Sequence, residues 1–166
     1  MNHLTILPDG LADTLVRARD RLPVTRSMVG EFEALMRAAP PNVQVPPRAF
    51  TVRHHFAPGV YMRELHIPQG LITTGKIHKY PCMNILAKGK RATLIEDHIS
   101  VVTAPHVHMS PAGMKRISYT LEDAVWITVH PTDKTDVAEL ERDLVCDTEE
   151  EYQAFLASGV SPAWLG

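Results

Sequence analysis

Apolar and polar positions follow three rhythms along this chain. Between Ser27 and Ala38, Met28, Phe32, Leu35 and Met36 recur at helical spacing, which predicts a short amphipathic helix. The proline-rich stretch Pro40 to Pro47 (PPNVQVPP) forbids helix and predicts an extended strap. From Phe50 to Pro131, short runs rich in Val, Ile, Thr and Tyr alternate with Pro and Gly breaks, the texture of a sandwich or barrel. Strands are predicted at Phe50–His55, Val60–Ile67, Leu71–His78, Asn84–Lys88, Arg91–Glu96, Ser100–Ala104, His106–Ser110, Lys115–Thr120 and Val125–His130. Glu96-Asp97-His98 and Leu121-Glu122-Asp123 read as polar turns between them. After Pro131 the helical period returns with Val137, Leu140, Leu144 and Val145. A second helix follows, with Thr148 and Glu151 as a capping box, Tyr152, Phe155 and Leu156 on its apolar face, and Gly159 at its end.

No helical period interrupts the central region, so the pattern predicts an all-β domain with helices at both ends. At 166 residues and 45% hydrophobic content, one domain with its own core is expected. Residues 1–49 are read as a helical arm and strap, 50–131 as the β barrel, and 132–166 as helices flanking it. A net charge of −2 and a pI near 6.5 leave no basic stripe for phosphates, which argues against nucleic acid as a partner. No apolar run approaches the ~18 residues needed to span a bilayer, so no membrane association is expected. The first residues lack the charged start and apolar stretch of a secretory signal, and Cys82 and Cys146 are too few for a disulfide framework. The expected setting is a reducing cytoplasm.

Gly70-Leu-Ile-Thr-Thr-Gly75-Lys76-Ile77-His78, then Cys82 and Gly89, resembles the first cupin motif. Pro111-Ala112-Gly113-Met114-Lys115-Arg116 resembles the second. The glycines and the proline match in spacing, whereas Lys76, Cys82 and Arg116 stand where the family carries a histidine, a glutamate and a histidine; His78 alone is kept. A narrower resemblance runs through Gly59–Glu64, Gly75–Lys79, Pro111–Arg116, Glu122–Trp126 and His130, and is to a cupin-like group of tailed phages and prophages that has no settled activity. The resemblance implies a cupin-type double-stranded β-helix, or jelly roll, and a phage or prophage origin.

Jelly rolls enclose a small cavity lined by alternate strand residues. Lys76 and His78 share one strand face, Trp126, Thr128 and His130 another, and Glu64 and His66 a third. A polar pocket from Glu64, His78, Cys82, Arg116 and His130 is therefore expected. Within it, His78, Cys82 and His130, with Glu64, suit zinc, iron or manganese. Lys76 and Arg116 oppose such a site: at about 5 Å and an effective dielectric of about 20, each repels a divalent ion by roughly 6 kcal/mol. The same cations, with Trp126, suit an anionic small molecule, since Arg offers carboxylate or phosphate a bidentate fork. The plain alternative is no metal, with Arg116 neutralised by Glu64 or another carboxylate. His106-Val107-His108 mimics a metal motif but reads as a strand whose histidines pack or face solvent. His54-His55 point to opposite faces, His98 lies in a turn, and Cys146 packs on a helix.

Three classes of function fit: a ligand- or metal-binding barrel protein without demonstrated catalysis, a metal-dependent isomerase or oxygenase, and a structural virion or assembly protein. A homodimer is expected, because open jelly-roll sheets commonly cover an edge or face with a partner.

Overall fold

Two long strands organise the molecule. The computed structural model describes residues 4–6, 26–38, 50–95 and 98–161. Within it, β1 is Leu4–Ile6, α1 Arg26–Ala38, β2 Thr51–Ala57, β3 Val60–Ile67, β4 Leu71–Thr74, β5 Ile77–His78, β6 Cys82–Ile95, β7 His98–Thr103, β8 His106–Ser110 and β9 Ile117–Pro131. The C-terminal part holds α2 Val137–Leu144, β10 Val145–Cys146 and α3 Glu149–Ala157. The fold is an antiparallel all-β jelly roll with helices at both ends. The strap Pro40–Pro47 and the turn residues Glu96 and Asp97 lie outside the described residues.

β6 and β9 pair along almost their whole length, and each half of the pair gathers its own neighbours. The first half of β6 and the second half of β9 are flanked by β8 on one side and by β3 and β2 on the other. The second half of β6 and the first half of β9 are flanked by β7 on one side and by β4 and β1 on the other. The result is two antiparallel half-sheets facing each other across a cavity.

The expected turn at Leu121-Glu122-Asp123 is therefore not a turn but the bend of a continuous strand. Its physical cause lies across the ladder, where the register of β6 against β9 shifts between Leu86 and Arg91. Gly89 at this bulge has φ +84°, and a Cβ there would stand 2.3 Å from the Asp123 carbonyl oxygen. Only glycine allows the two backbones this close. The bulge also changes which residues of β6 face inward. Cys82, Asn84 and Leu86 are buried before it, and Arg91 and Thr93 after it, so the parity flips.

The closed end of the barrel is filled by Leu65, Ile67, Leu71, Leu86, Ala124 and Trp126. At the other end the C-terminal helices cap the mouth. Leu140 and Leu144 of α2 pack on Tyr61, and Tyr152 of α3 packs on Ile77 and Cys146. Asp136 and Thr148 cap the two helices by accepting from the backbone N–H groups of Glu139 and Glu151, and Gly159 follows α3 with φ +77°. β1 and β10 are elements the periodicity did not predict. β10 pairs with β5, Val145 opposite His78, and so ties the C-terminal segment to the site. At the N-terminal side, Lys115 donates to Glu33 of α1 at 2.5 Å, with both side chains buried.

Candidate anion pocket and metal centre

The facing half-sheets leave a cavity of about 130 Å³. Its walls come from β3, β4, β6 and β9, its rim from β5, the Pro111–Arg116 turn and α2. The turn is held against the rim by a hydrogen bond from the Gly113 N–H to the His78 carbonyl, 2.7 Å. Gly113 has φ +73° and lies so close to Tyr152 that a Cβ would stand 2.5 Å from the phenolic oxygen. The second motif's glycine thus fixes the backbone of the first motif's histidine.

Of the residues expected at the site, Lys76, His78, Arg116, Trp126 and His130 all line the cavity. Cys82 lies beside them, its sulfur and one nitrogen from each of His78 and His130 all within 4.8 Å of one another. Glu64 does not belong there. On β3 the inward residues are Tyr61, Leu65 and Ile67, with Arg63 between them lining the cavity, and strand alternation turns Glu64 outward. Its carboxylate is held on the outer face by His66, His55 (2.9 Å) and Arg53 (3.4 Å). The hydrogen bond from His66 is the main reason its pKa lies below the usual carboxylate range. Glu64 is thus neither a metal ligand nor the partner of Arg116.

The two histidine rings stack with centroids 5.2 Å apart, and Tyr61 continues the stack beyond His130 at 6.3 Å. Both imidazoles are neutral at physiological pH. Burial, reinforced by His130, Arg116 and Arg63, pushes His78 down to about 3, and burial pushes His130 down to about 4. The Nδ1 atoms of both are buried without a hydrogen-bond partner. The Cys82 thiol is pushed upward by burial, against the pull of Asn84 and Arg116. Asn84 orients this corner, donating to Ser110 Oγ at 2.6 Å and to the Cys82 sulfur at 3.6 Å, while its oxygen accepts from Thr128. Two neutral imidazoles and a thiol are a donor set for zinc, and for iron ahead of manganese. Donors of a tetrahedral zinc site stand about 3.5 Å apart, so closing on an ion asks for a movement of about 1 Å. The residues present fit such an ion in type and spacing.

The cations of the pocket are arranged differently from expectation. Lys76 stands at the mouth and is neutralised there by Asp147 at 3.0 Å and Glu141 at 3.4 Å. Burial alone would lower its pKa, but these two carboxylates carry it upward. Arg116 reaches inward, donating to His108 Nε2 at 3.0 Å and to Ser110 Oγ, with its guanidinium 5.8 Å from the Trp126 ring centre. His108, read from sequence as packing or facing solvent, is in fact a partner of this arginine.

Two further arginines, Arg63 and Arg91, line the same cavity and escaped the sequence reading. Arg91 is 5% exposed, donates to Thr73 Oγ1 at 2.5 Å, leaves its Nε without a partner, and lies 5.0 Å from the Trp126 ring centre. Burial, with Arg116 nearby, pushes it down to about 9. No carboxylate among the described residues pairs with Arg63, Arg91 or Arg116. Among the described residues, Glu141 is the one acidic group on the cavity wall, and Lys76 already engages it.

No family model matches the sequence, and none of the curated proteins does. Several solved structures are similar in fold. KdgF from Halomonas sp. has a TM-score of 0.46 at 13% identity, over 54% of this chain and 85% of that one. A cupin-2 domain protein from Rhodospirillum rubrum has 0.43 at 16% identity, over 66% and 78%. Another, from Shewanella frigidimarina, has 0.42 at 11% identity, over 49% and 80%. The chemistry of this chain is read from its own side chains. Among the described residues, no helix is long and apolar enough to cross a membrane.

Proposed function

We propose that this protein is a receptor for a small anionic molecule, bound inside the barrel beside a transition-metal centre formed by His78, Cys82 and His130. The observation that carries the reading is the uncompensated charge of the pocket. A guanidinium removed from water is stable only when something negative or strongly accepting replaces its hydration. Among the described residues, Arg63, Arg91 and Arg116 converge on one cavity and none of them pairs with a carboxylate, Glu141 on its wall being engaged by Lys76. A chain using the barrel only as a building block gains nothing from such an interior, which weighs against the purely structural reading. The phage or prophage setting rests on the sequence resemblance alone and is proposed on that basis. A bound metal would polarise a coordinated oxygen of the ligand; the arginines would orient and neutralise it.

Acetate and inorganic phosphate are the first probes, titrated at constant ionic strength against chloride. The expected result is saturable binding that raises the melting temperature and is weakened at least tenfold in Arg116→Met. Absence of binding by any small anion would overturn the reading. For the metal, zinc at one equivalent per chain, lost in His78→Ala and reduced in Cys82→Ser, is expected. Zinc retention in His78→Ala would remove the centre from these residues.

A further inference from the structure

The pocket's charges are not equivalent, and their differences say what shape of anion it takes; the inference rests on the anion-receptor reading just given. Burial lowers the pKa of Arg63, and Tyr61 and then Glu141 act against that effect. Among the described residues no carboxylate pairs with Arg91 or Arg116: Arg91 feels the charge of Arg116, and Arg116 the Cys82 thiol. They are therefore the two positions where negative charge is missing. Both flank Trp126, at 5.0 and 5.8 Å from its ring centre, so their guanidinium carbons are at most about 11 Å apart. Each has hydroxyl groups beside it. Thr73 and Ser118 stand opposite each other on β4 and β9, with Thr73 bonded to Arg91, and Ser110 is bonded to Arg116.

We infer that the ligand is a short dicarboxylate, with one carboxylate at Arg91 and Thr73 and the other at Arg116 and Ser110, lying along the Trp126 ring. A carboxylate carbon in a bidentate pair lies about 4 Å from the guanidinium carbon. The carboxyl carbons of malonate and succinate are about 2.5 and 3.9 Å apart by standard bond geometry. Those lengths bridge guanidinium carbons about 10–12 Å apart when fully extended and less when bent, so that malonate extended or succinate bent stays within the ~11 Å that Trp126 permits. Cavity size agrees: 130 Å³ is close to the ~150 Å³ void that takes up a benzene, so a ligand of fewer than about ten heavy atoms fits. Longer diacids would have to fold back or protrude past Lys76.

Calorimetric titration of the unmodified protein with acetate, malonate, succinate, adipate and inorganic phosphate tests this. Malonate or succinate is expected to bind at least 30-fold more tightly than acetate, the effect of a second charge-assisted pair, with adipate falling back toward acetate. Arg91→Met is expected to bring malonate and succinate down to within twofold of the affinity that the same variant has for acetate. Diacids no tighter than acetate would overturn the two-ended ligand and leave the anion receptor standing. Phosphate tighter than every diacid would also overturn it, in favour of one tetrahedral anion between the arginines. Failure of every probe would take down the receptor reading as well. The chain-length series needs no variant, so it decides the matter even if Arg91→Met does not fold.

Discussion

Arg91 should make the empty protein less stable than it would be without it. A pKa pushed from 12.5 to about 9 means that the folded protein disfavours the charged form by about 5 kcal/mol relative to water. Arg91→Met removes that charge and keeps an unbranched stem of similar reach against Trp126. What is lost is one hydrogen bond to Thr73, about 1.5–3 kcal/mol with a charged donor, and a ring contact of about 1 kcal/mol. The balance favours the variant by roughly 1–2.5 kcal/mol. For a chain of this size that is a rise of about 2–10 °C in melting temperature. The assay is paired thermal and urea unfolding in a buffer whose only anion is chloride. Adding malonate should then raise the melting temperature of the unmodified protein and not that of Arg91→Met, reversing or closing the gap. A destabilised Arg91→Met in chloride would refute the reasoning, because it would mean that Thr73 and Trp126 already satisfy the guanidinium and no anion is called for.

Acid should weaken the fold through His108, which burial and then Arg116 hold down at about 4. A base whose folded pKa lies below its unfolded value of 6.5 contributes fully above pH 6.5 and loses that contribution as pH falls toward 4. The slope is below 1.4 kcal/mol per pH unit because the ring is partly exposed, and His108→Gln should flatten it in urea midpoints measured from pH 7 to 4.5. Gly113→Ala should cost about 2–4 kcal/mol through its positive φ and the clash with Tyr152, and the added Tyr152→Leu should recover part of that in thermal unfolding. A homodimer is expected through β8, which among the described residues pairs only with β6 and whose outward Val107 and Met109 are 56% and 58% exposed beside Met83 at 42%. Sedimentation should give a dimer that Met109→Lys converts to a monomer; a monomeric unmodified protein would exclude it.

The strands and the C-terminal helices were legible because their signals are local. Val60–Ile67 and His106–Ser110 alternate cleanly, and Thr148, Glu151 and Gly159 carry cap chemistry that needs no tertiary context. His130 and Trp126 were placed correctly by alternation on one strand. Arg91 was not legible, because the bulge at Gly89 flips the inward parity of β6, and counting twos from Cys82 or Asn84 puts Arg91 outside. Glu64 failed for a simpler reason. On its strand Tyr61, Leu65 and Ile67 mark the inner face, and Glu64, one residue out of that phase, belongs outside. Lys76 needed knowledge of α2 and the residues after it, since Glu141 and Asp147 are more than sixty positions away in sequence.

Metal and anion in this pocket cannot be independent. A divalent ion at His78, Cys82 and His130 enters a space where Arg63 and Arg116 already act on His78 through the interior. At about 8 Å and an effective dielectric of about 20, each guanidinium would oppose it by roughly 4 kcal/mol, and a dianion held at Arg91 and Arg116 would remove much of that field. Deprotonation of Cys82 offsets part of the remainder, at the cost of lifting a proton from a thiol that burial has made reluctant. Zinc affinity should accordingly rise at least tenfold in saturating malonate, after correction for the zinc that malonate holds in solution. Linkage then requires malonate affinity to rise by the same factor in saturating zinc. Calorimetry in both orders measures the two factors separately. Equal zinc affinity with and without malonate would mean that the guanidiniums and the three donors do not share one field, and the single pocket drawn from their geometry would have to be divided in two.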